Sequence, residues 1–575
     1  MASSTFRICP QRQALLDSNG HLLVLGGPGS GKTAIALVKA AHEIEKGSLA
    51  SGQKVLFLSF ARATIGCVLQ EAKIRIAPGI RSQLEITTYH AFAWGVLRSH
   101  GYLLTGHKRT RLLAPPEAAG RLAGVPKEKR RETLRRLLGE ERLLGFDLFA
   151  EMVSELFHQC PRLLRVFSDC YPIIVVDEFQ DTDRHEWRMI AALGENSRLI
   201  ALADPEQRIY EFRGADPARI GEFATKMAPQ LFDFGRENNR SDGTDIVRYG
   251  NDLLTGANRG KIYTHVKVAG YGYYQDEPLQ AAKYAAFQSM RRLLAIGDNK
   301  WSLAVLVSSK EMMLKLCSYF SSTSAVAKAI AHEALIDPEG PALAAVLIAG
   351  LLEGAATAEK IASNTLLDLV SHIRGSKGGT ISEQNLKLAN AVEEYLRSRT
   401  IRGKNRLELI ANIETLAQAR FSLVLTGDPT HDWLEVQRLV GVATHNCVKA
   451  VAEDARFIRL LNRGTQLRDN LSAQWRSTGK YFNAREVVAN ALVEEHFSSS
   501  MRVWTGVNVM TIHKSKGKEF DEVIIFEGSR IGRLLRENPS VKDQEQARLT
   551  LRVAVTRARR RTTILTPNWC RCALL

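Results

Sequence analysis

A short apolar run, Leu22-Leu23-Val24-Leu25, ends in Gly26-Gly27-Pro28-Gly29-Ser30-Gly31-Lys32-Thr33 and continues into an Ala/Leu/Val-rich segment. No other stretch of the chain leaves so little choice of local fold. The glycines allow a tight turn whose backbone N–H groups point inward, and the helix that follows aims its N-terminal dipole at the same point. The spacing is a full GxxxxGK[ST]. Gly26, Gly27, Pro28, Gly29, Ser30, Gly31, Lys32, Thr33 and Ala34 would form a phosphate cradle, with Lys32 on the outer phosphates and the Thr33 hydroxyl on Mg²⁺.

Further apolar runs at 54–60, 173–176 and 199–203 alternate with helical patterns. Continuous Val/Ile/Leu runs of this kind signal a parallel sheet covered on both faces. Similar runs return at 303–307 and 523–526, which predicts a second α/β domain. Between 98 and 165 the pattern changes to Leu/Arg/Glu periodicity, as in 131–138, and predicts an amphipathic helical insertion. From 321 to 500 the chain reads as helix-rich and poor in strands, with a break at Gly375 to Gly379. At 575 residues the chain is too long for one core.

Composition narrows the partners. The formal charge is +17 with a pI near 9.5, an excess that favours a polyanion and makes nucleic acid the first partner to test. Cysteines at 9, 67, 160, 170, 317, 447, 570 and 572 form no CxxC pair, so a thiolate metal cluster is not expected and reduced, cytoplasmic thiols are. The least charged stretch, Pro341 to Leu352, falls short of the ~20 residues of a membrane span and reads as a buried helix. The start of the chain has no apolar signal-peptide core, so export and membrane association are not expected.

The run Ile173-Ile174-Val175-Val176 ends in Asp177-Glu178. A strand that delivers two acids beside a phosphate cradle suits Asp177 to Mg²⁺ and Glu178 to the attacking water. The longer segment Asp177-Glu178-Phe179-Gln180-Asp181-Thr182 resembles motif II of the UvrD/Rep-type superfamily 1 DNA helicases, and other segments follow in that family's order. Gln11-Arg12-Gln13-Ala14 resembles the Q motif, with Gln11 as adenine reader. Ser59-Phe60-Ala61-Arg62 and Thr87-Thr88-Tyr89-His90-Ala91-Phe92 resemble segments that line a single-strand track, although Phe60 and Phe92 would equally suit a core. Ala203-Asp204-Pro205-Glu206-Gln207-Arg208-Ile209-Tyr210-Glu211-Phe212-Arg213-Gly214 resembles motif III, with Ala203 for Gly and Phe212 for Trp. The resemblance puts Gln207 on the γ-phosphate and Tyr210, Phe212 and Arg213 on the nucleic-acid side.

Arg236-Glu237-Asn238-Asn239-Arg240-Ser241 resembles motif IV, with Asn239 for the usual Tyr and Arg240 as a phosphate-directed cation. Val509 to Phe520 is similar to motif V, with Lys518 for a usual Leu. There the family implies Thr511, His513 and Lys516 toward nucleic acid and the cleft, and Glu519 toward the ribose. Val553-Ala554-Val555-Thr556-Arg557-Ala558 resembles motif VI, whose arginine finger would be Arg557.

The resemblance implies an α/β fold of two RecA-like P-loop NTPase domains with parallel sheets, each carrying a helical insertion (the 1A/1B/2A/2B plan). The expected division is 1A at 1–97 and 166–235, 1B at 98–165, 2A at 236–320 and 501–575, and 2B at 321–500. The implied activity is ATP- and Mg²⁺-dependent 3′-to-5′ helicase or translocase action on single-stranded or tailed DNA, with hydrolysis gated by cations from the second domain. An alternative is an ATP-gated, DNA-sensing subunit of an antiphage complex, similar to Gabija, with an OLD-type nuclease partner. Two further rivals are a RecB/AddA-like helicase–nuclease, for which the stretch after Ala558 leaves little room, and a binding module with a relic phosphate loop.

Overall fold

The apolar runs form the middle strands of two parallel sheets. The computed structural model describes residues 8–59, 62–106, 110–207, 216, 218–235, 241–272, 277–297, 300–323, 328–335, 339–378, 381–456, 465–497 and 504–575. In chain order the strands are β1 Leu22–Leu25, β2 Val55–Ser59, β3 Leu84–Thr88, β4 Arg111–Leu113, β5 Leu143–Gly145, β6 Ile173–Val176 and β7 Arg198–Ala203. They continue with β8 Gln230–Asp233, β9 Val266–Tyr271, β10 Ser302–Val307, β11 His332–Ala334, β12 Gly506–Thr511, β13 Phe520–Phe526 and β14 Ala558–Pro567. The first sheet has the order β3-β2-β6-β7-β1-β8 and the second β11-β12-β10-β13-β14-β9. Every neighbouring pair in both is parallel. The chain thus carries two RecA-like α/β halves.

Burial explains the central strands. β2, β6 and β10 are buried at every residue, as strands covered by helices on both faces must be. One core of the first half joins Val24, Phe57, Val175 and Leu202 to Ile35, Leu37 and Ala40 of helix Lys32–Glu45, which seats that helix directly behind the glycine turn.

Two compact units result. One comprises Met1–Val96, Val153–Leu335 and Ser499–Leu575 and contains both six-stranded sheets; the other comprises Leu97–Met152 and Ile336–Ser498. These limits differ from the expected insertions at both ends. Phe157, in the latter part of helix Phe149–Gln159, meets Phe167 at 5.7 Å, so residues after Met152 belong with the first sheet. β11 pairs with β12 through His332↔Val507, which extends the second sheet past residue 320. Both insertions also share one helical unit. A Cβ on Gly375 would lie 3.0 Å from Gly120 N, a backbone approach that only glycine permits. The first insertion contains a two-stranded parallel ladder, β4 with β5, whose three-residue strands are too short to show a period.

In the helical unit, Glu339–Glu353 contains the uncharged stretch and is buried on almost every side. A helix apolar all round is a core helix. Among the described residues no helix is long and apolar enough to cross a membrane.

Candidate active site in the two-sheet unit

Parallel strands deliver their last residues to one edge of a sheet, so the turns after β1, β6 and β7 gather at the carboxyl edge of the first sheet. After β1, Gly29 (φ 79°) and Gly31 (φ 85°) adopt the left-handed conformation that shapes the cradle. Lys32 Nζ donates to the carbonyls of Gly26 at 2.6 Å and Gly27 at 3.1 Å, so the ammonium is held over its own loop. Thr33 follows, half-buried in the first turn of the helix. Arg12 braces the loop from outside. Its Nη2 donates to Ser30 O at 3.1 Å, and the guanidinium stacks 5.1 Å from the Phe234 ring centre. Exposed Gln11 donates through Nε2 to Asp233 O at 2.9 Å, at the end of β8.

After β6 comes a cluster of acids, Asp177 and Asp181 buried and Glu178 half-buried. Burial, then the neighbouring Glu178 charge, pushes the Asp177 carboxyl up to about 7 against the pull of Lys32. Glu178 sits at φ 54°, a left-handed backbone that strains a non-glycine residue by about 1–3 kcal/mol. Burial opposes its charge, but Lys516, Lys32, the amide of Gln180 at 2.5 Å and Arg557 together hold its carboxyl below the ordinary value. Asp181 goes the other way. Burial, with Glu178 and Asp204 nearby, lifts it to about 7 despite Lys516.

The turn after β7 links these groups. Asp204 N donates to Gln180 Oε1 at 3.0 Å, and Asp204 Oδ2 accepts from Gln207 Nε2 at 2.8 Å. Three cations arrive from the second half. Lys516 Nζ donates to Asp181 Oδ2 and to Gln207 O (2.6 Å for the latter), and lies 3.8 Å from Glu178 Oε2. Arg557, only 2% exposed, donates through Nη2 to Gln207 Oε1 at 3.4 Å and through Nε to Val553 O at 3.0 Å. Arg552 pairs with Glu206 at 2.8 Å.

Lys32, Asp177, Glu178, Gln207 and Arg557, read from four separate segments, therefore meet in one place. Two of the expected nucleic-acid contacts are buried side chains in this structure. Tyr89 is 3% exposed, and burial with the charges of Glu186, Asp177, Asp181 and Glu178 drives its hydroxyl far above the ordinary value; it belongs to the acid cluster. Lys516 is buried and engaged by Asp181 and Gln207, on the cleft side of its expected placement. Thr88 accepts from Ala91 N at 3.0 Å at the start of helix Tyr89–His100, and His90, Thr511 and His513 are half-buried. Phe92 is core, edge-on to Phe167 and Tyr171 at 6.1 Å each. Glu519 pairs with Arg559 at 3.3 Å. Phe60, Tyr210, Phe212, Arg213 and Arg240 lie outside the described residues, as does the side chain of Arg62.

Sequence reasoning did not single out Gln180, Asp204 or Arg552. The first two lie inside motif-like segments and could have been suspected there. Arg552 carries no signal in a helix rich in Arg and Leu.

A glycine phosphate loop, a strand-end acid pair and cations from a second sheet define a nucleotide-binding protein with two RecA-like halves. The comparisons give the family. The UvrD/REP helicase N-terminal domain matches residues 9–133 and 126–228, and the UvrD-like helicase C-terminal domain matches residues 452–568. The chain belongs to the UvrD-like helicases. It is 26% identical over 364 residues to the ATP-dependent DNA helicase UvrD2 of Mycobacterium tuberculosis, covering 52% of this chain and 51% of that protein. It thus spans about half the length of that relative. A probable DNA helicase II homolog of Rickettsia felis is 22% identical over 96% of this chain and 90% of its own length. The ATP-dependent DNA helicase PcrA of Bacillus subtilis is 24% identical over 42% of this chain and 39% of its own.

Proposed function

We propose that this chain is an ATP- and Mg²⁺-dependent DNA helicase or translocase that moves 3′ to 5′ on single-stranded DNA. The observation that carries the reading is the reach of Arg557 from the second half to Gln207, beside Glu178 of the first. An arginine so placed is worth roughly 10³–10⁵ in phosphoryl-transfer rate. Turnover would therefore depend on how the two halves approach, which is the coupling a translocase needs.

In this reading Lys32 leaves the carbonyls of Gly26 and Gly27 for the β- and γ-phosphates of ATP. Thr33 and Asp177 offer hard oxygen donors of the kind Mg²⁺ takes alongside substrate phosphates. The donor set fits such a role, since a buried carboxylate beside a second acid at a strand end is favoured by a cation. Bound there, Mg²⁺ would neutralise charge on the phosphates. Glu178, held ionised, accepts the proton of the attacking water, and Gln207 and Arg557 address the γ-phosphate. Arg240 would add a second cation, Gln11 would read adenine, and Glu519 would lie toward the ribose. The strand would run past Arg62, Thr88, His90, Thr511 and His513, with Phe60, Tyr210, Phe212 and Arg213 as further contacts. The +17 charge supports a polyanionic partner.

The test is ATP turnover by wild type and Glu178→Gln on single-stranded, tailed and blunt DNA, followed by strand displacement on a 3′-tailed duplex. Loss of DNA-stimulated turnover in the variant, with DNA binding retained, is expected; undiminished turnover refutes the base assignment. Turnover without displacement by the isolated chain would instead fit a DNA-sensing subunit of a defence complex with a nuclease partner.

A further inference from the structure

Arg552 lies five residues before Arg557 on helix Val541–Val555 and is 1% exposed, among the largest fully buried side chains of the described residues. Burying a guanidinium is unfavourable unless its donors are matched, and here they are. Nη2 meets Glu206 Oε2 at 2.8 Å, Nη1 donates to Glu206 O at 3.3 Å and lies 3.7 Å from Asp204 Oδ2. Nε and Nη2 donate to Asn251 Oδ1 at 3.3 and 3.2 Å. The same Nη2 lies 3.8 Å from where a Cβ on Gly27 would stand, so the guanidinium also borders the phosphate loop.

Its partner Asp204 is the junction of the site. One oxygen fixes the Gln207 amide, and its backbone N–H fixes Gln180, whose own amide grips the Glu178 carboxylate. Because Gln207 spends its N–H on Asp204, its carbonyl oxygen is turned to Arg557. We propose that Arg552 is a positioning residue: from the second half it holds Asp204, and through Asp204 it aims Gln207 and, by way of Gln180, Glu178. Two arginines five residues apart, one within helix Val541–Val555 and one just past its end, then divide the work, Arg557 meeting the reacting groups and Arg552 setting their orientation.

The inference rests on the ATP-hydrolysis reading, and the experiment separates the two. Arg552→Ala and Arg552→Lys are compared with wild type for DNA-stimulated kcat, for affinity toward a fluorescent ADP analogue, and for melting temperature. Arg552→Ala is expected to lower kcat about a hundredfold, the loss that misplacement by about an ångström brings, with ADP affinity within about threefold of wild type. Arg552→Lys keeps the charge but lacks the fork that spans Asp204, Glu206 and Asn251. It should fold even where the alanine variant does not, and still turn over more slowly than wild type. Asp204→Asn added to Arg552→Lys should lower kcat little further, because both act along one path.

Wild-type kcat in a folded Arg552→Lys protein overturns the inference while leaving hydrolysis intact. So does an equal fall in affinity and kcat, which marks a purely structural staple. A wild-type chain with no ATP turnover on any DNA sinks the underlying reading instead.

Discussion

Asp181 in the two-sheet unit and Asp432 in the helical unit are both buried aspartates, yet their surroundings treat them oppositely. Asp432 accepts from Thr426 N, Thr426 Oγ1 and Gly427 N at 2.8 Å each and from Tyr481 OH at 2.7 Å. These donors outweigh burial and hold its carboxyl below the ordinary value. Asp181 has one oxygen on Lys516 and another with no hydrogen-bond partner among the described residues, with Glu178 and Asp204 close by, and its carboxyl rises to about 7. A carboxylate that only braces a fold is fully satisfied, whereas the acids around the phosphate loop are crowded and under-compensated. Strongly perturbed groups gather where charge is to be handled.

The largest test of that contrast is Arg557→Ala. Turnover on DNA should fall by roughly 10³–10⁵, with nucleotide affinity largely kept, in steady-state and binding assays. Next is Lys516→Ala, which leaves Asp181 and Glu178 without their shared ammonium. Unfolding by denaturant should show a loss of about 3–5 kcal/mol, and pairing Lys516→Met with Asp181→Asn should recover much of it. Asp432→Ala strands four donors in the helical unit, and a loss of about 2–4 kcal/mol is expected. The folded variant should hydrolyse ATP as wild type does. If it did not, the division between bracing and chemical acids would fail.

The gentlest test is titration. Asp432 is depressed in the folded state, so its stabilisation is present above the unfolded value near 4 and fades as pH falls through the lower folded value. Asp181 is raised, so its contribution is full at low pH and is lost as pH climbs through about 7. Unfolding of wild type against Asp432→Asn and Asp181→Asn across this range should give differences of opposite slope.

The parts of this molecule that could be read from residues alone are those whose cause is local. The turn at Gly26 to Thr33 is dictated by its own glycines, and β2, β6 and β10 by continuous apolar runs. The acid partners of Arg552 and Lys516 were not legible because they lie more than 300 positions away, at Glu206 and Asp181. Phe92 sits between two alanines in a run that fits a track or a core, and its packing against Phe167 makes it core; the acids around Tyr89 come from a distant segment. β4 and β5 are shorter than any period that could reveal them.

The left-handed backbone at Glu178 has an evolutionary consequence. Glycine or asparagine would rest there more comfortably, so under the proposed base role it is selection for hydrolysis that keeps the acid. In a descendant freed from ATP turnover this position should be among the first to drift, and the drift should leave a more stable protein.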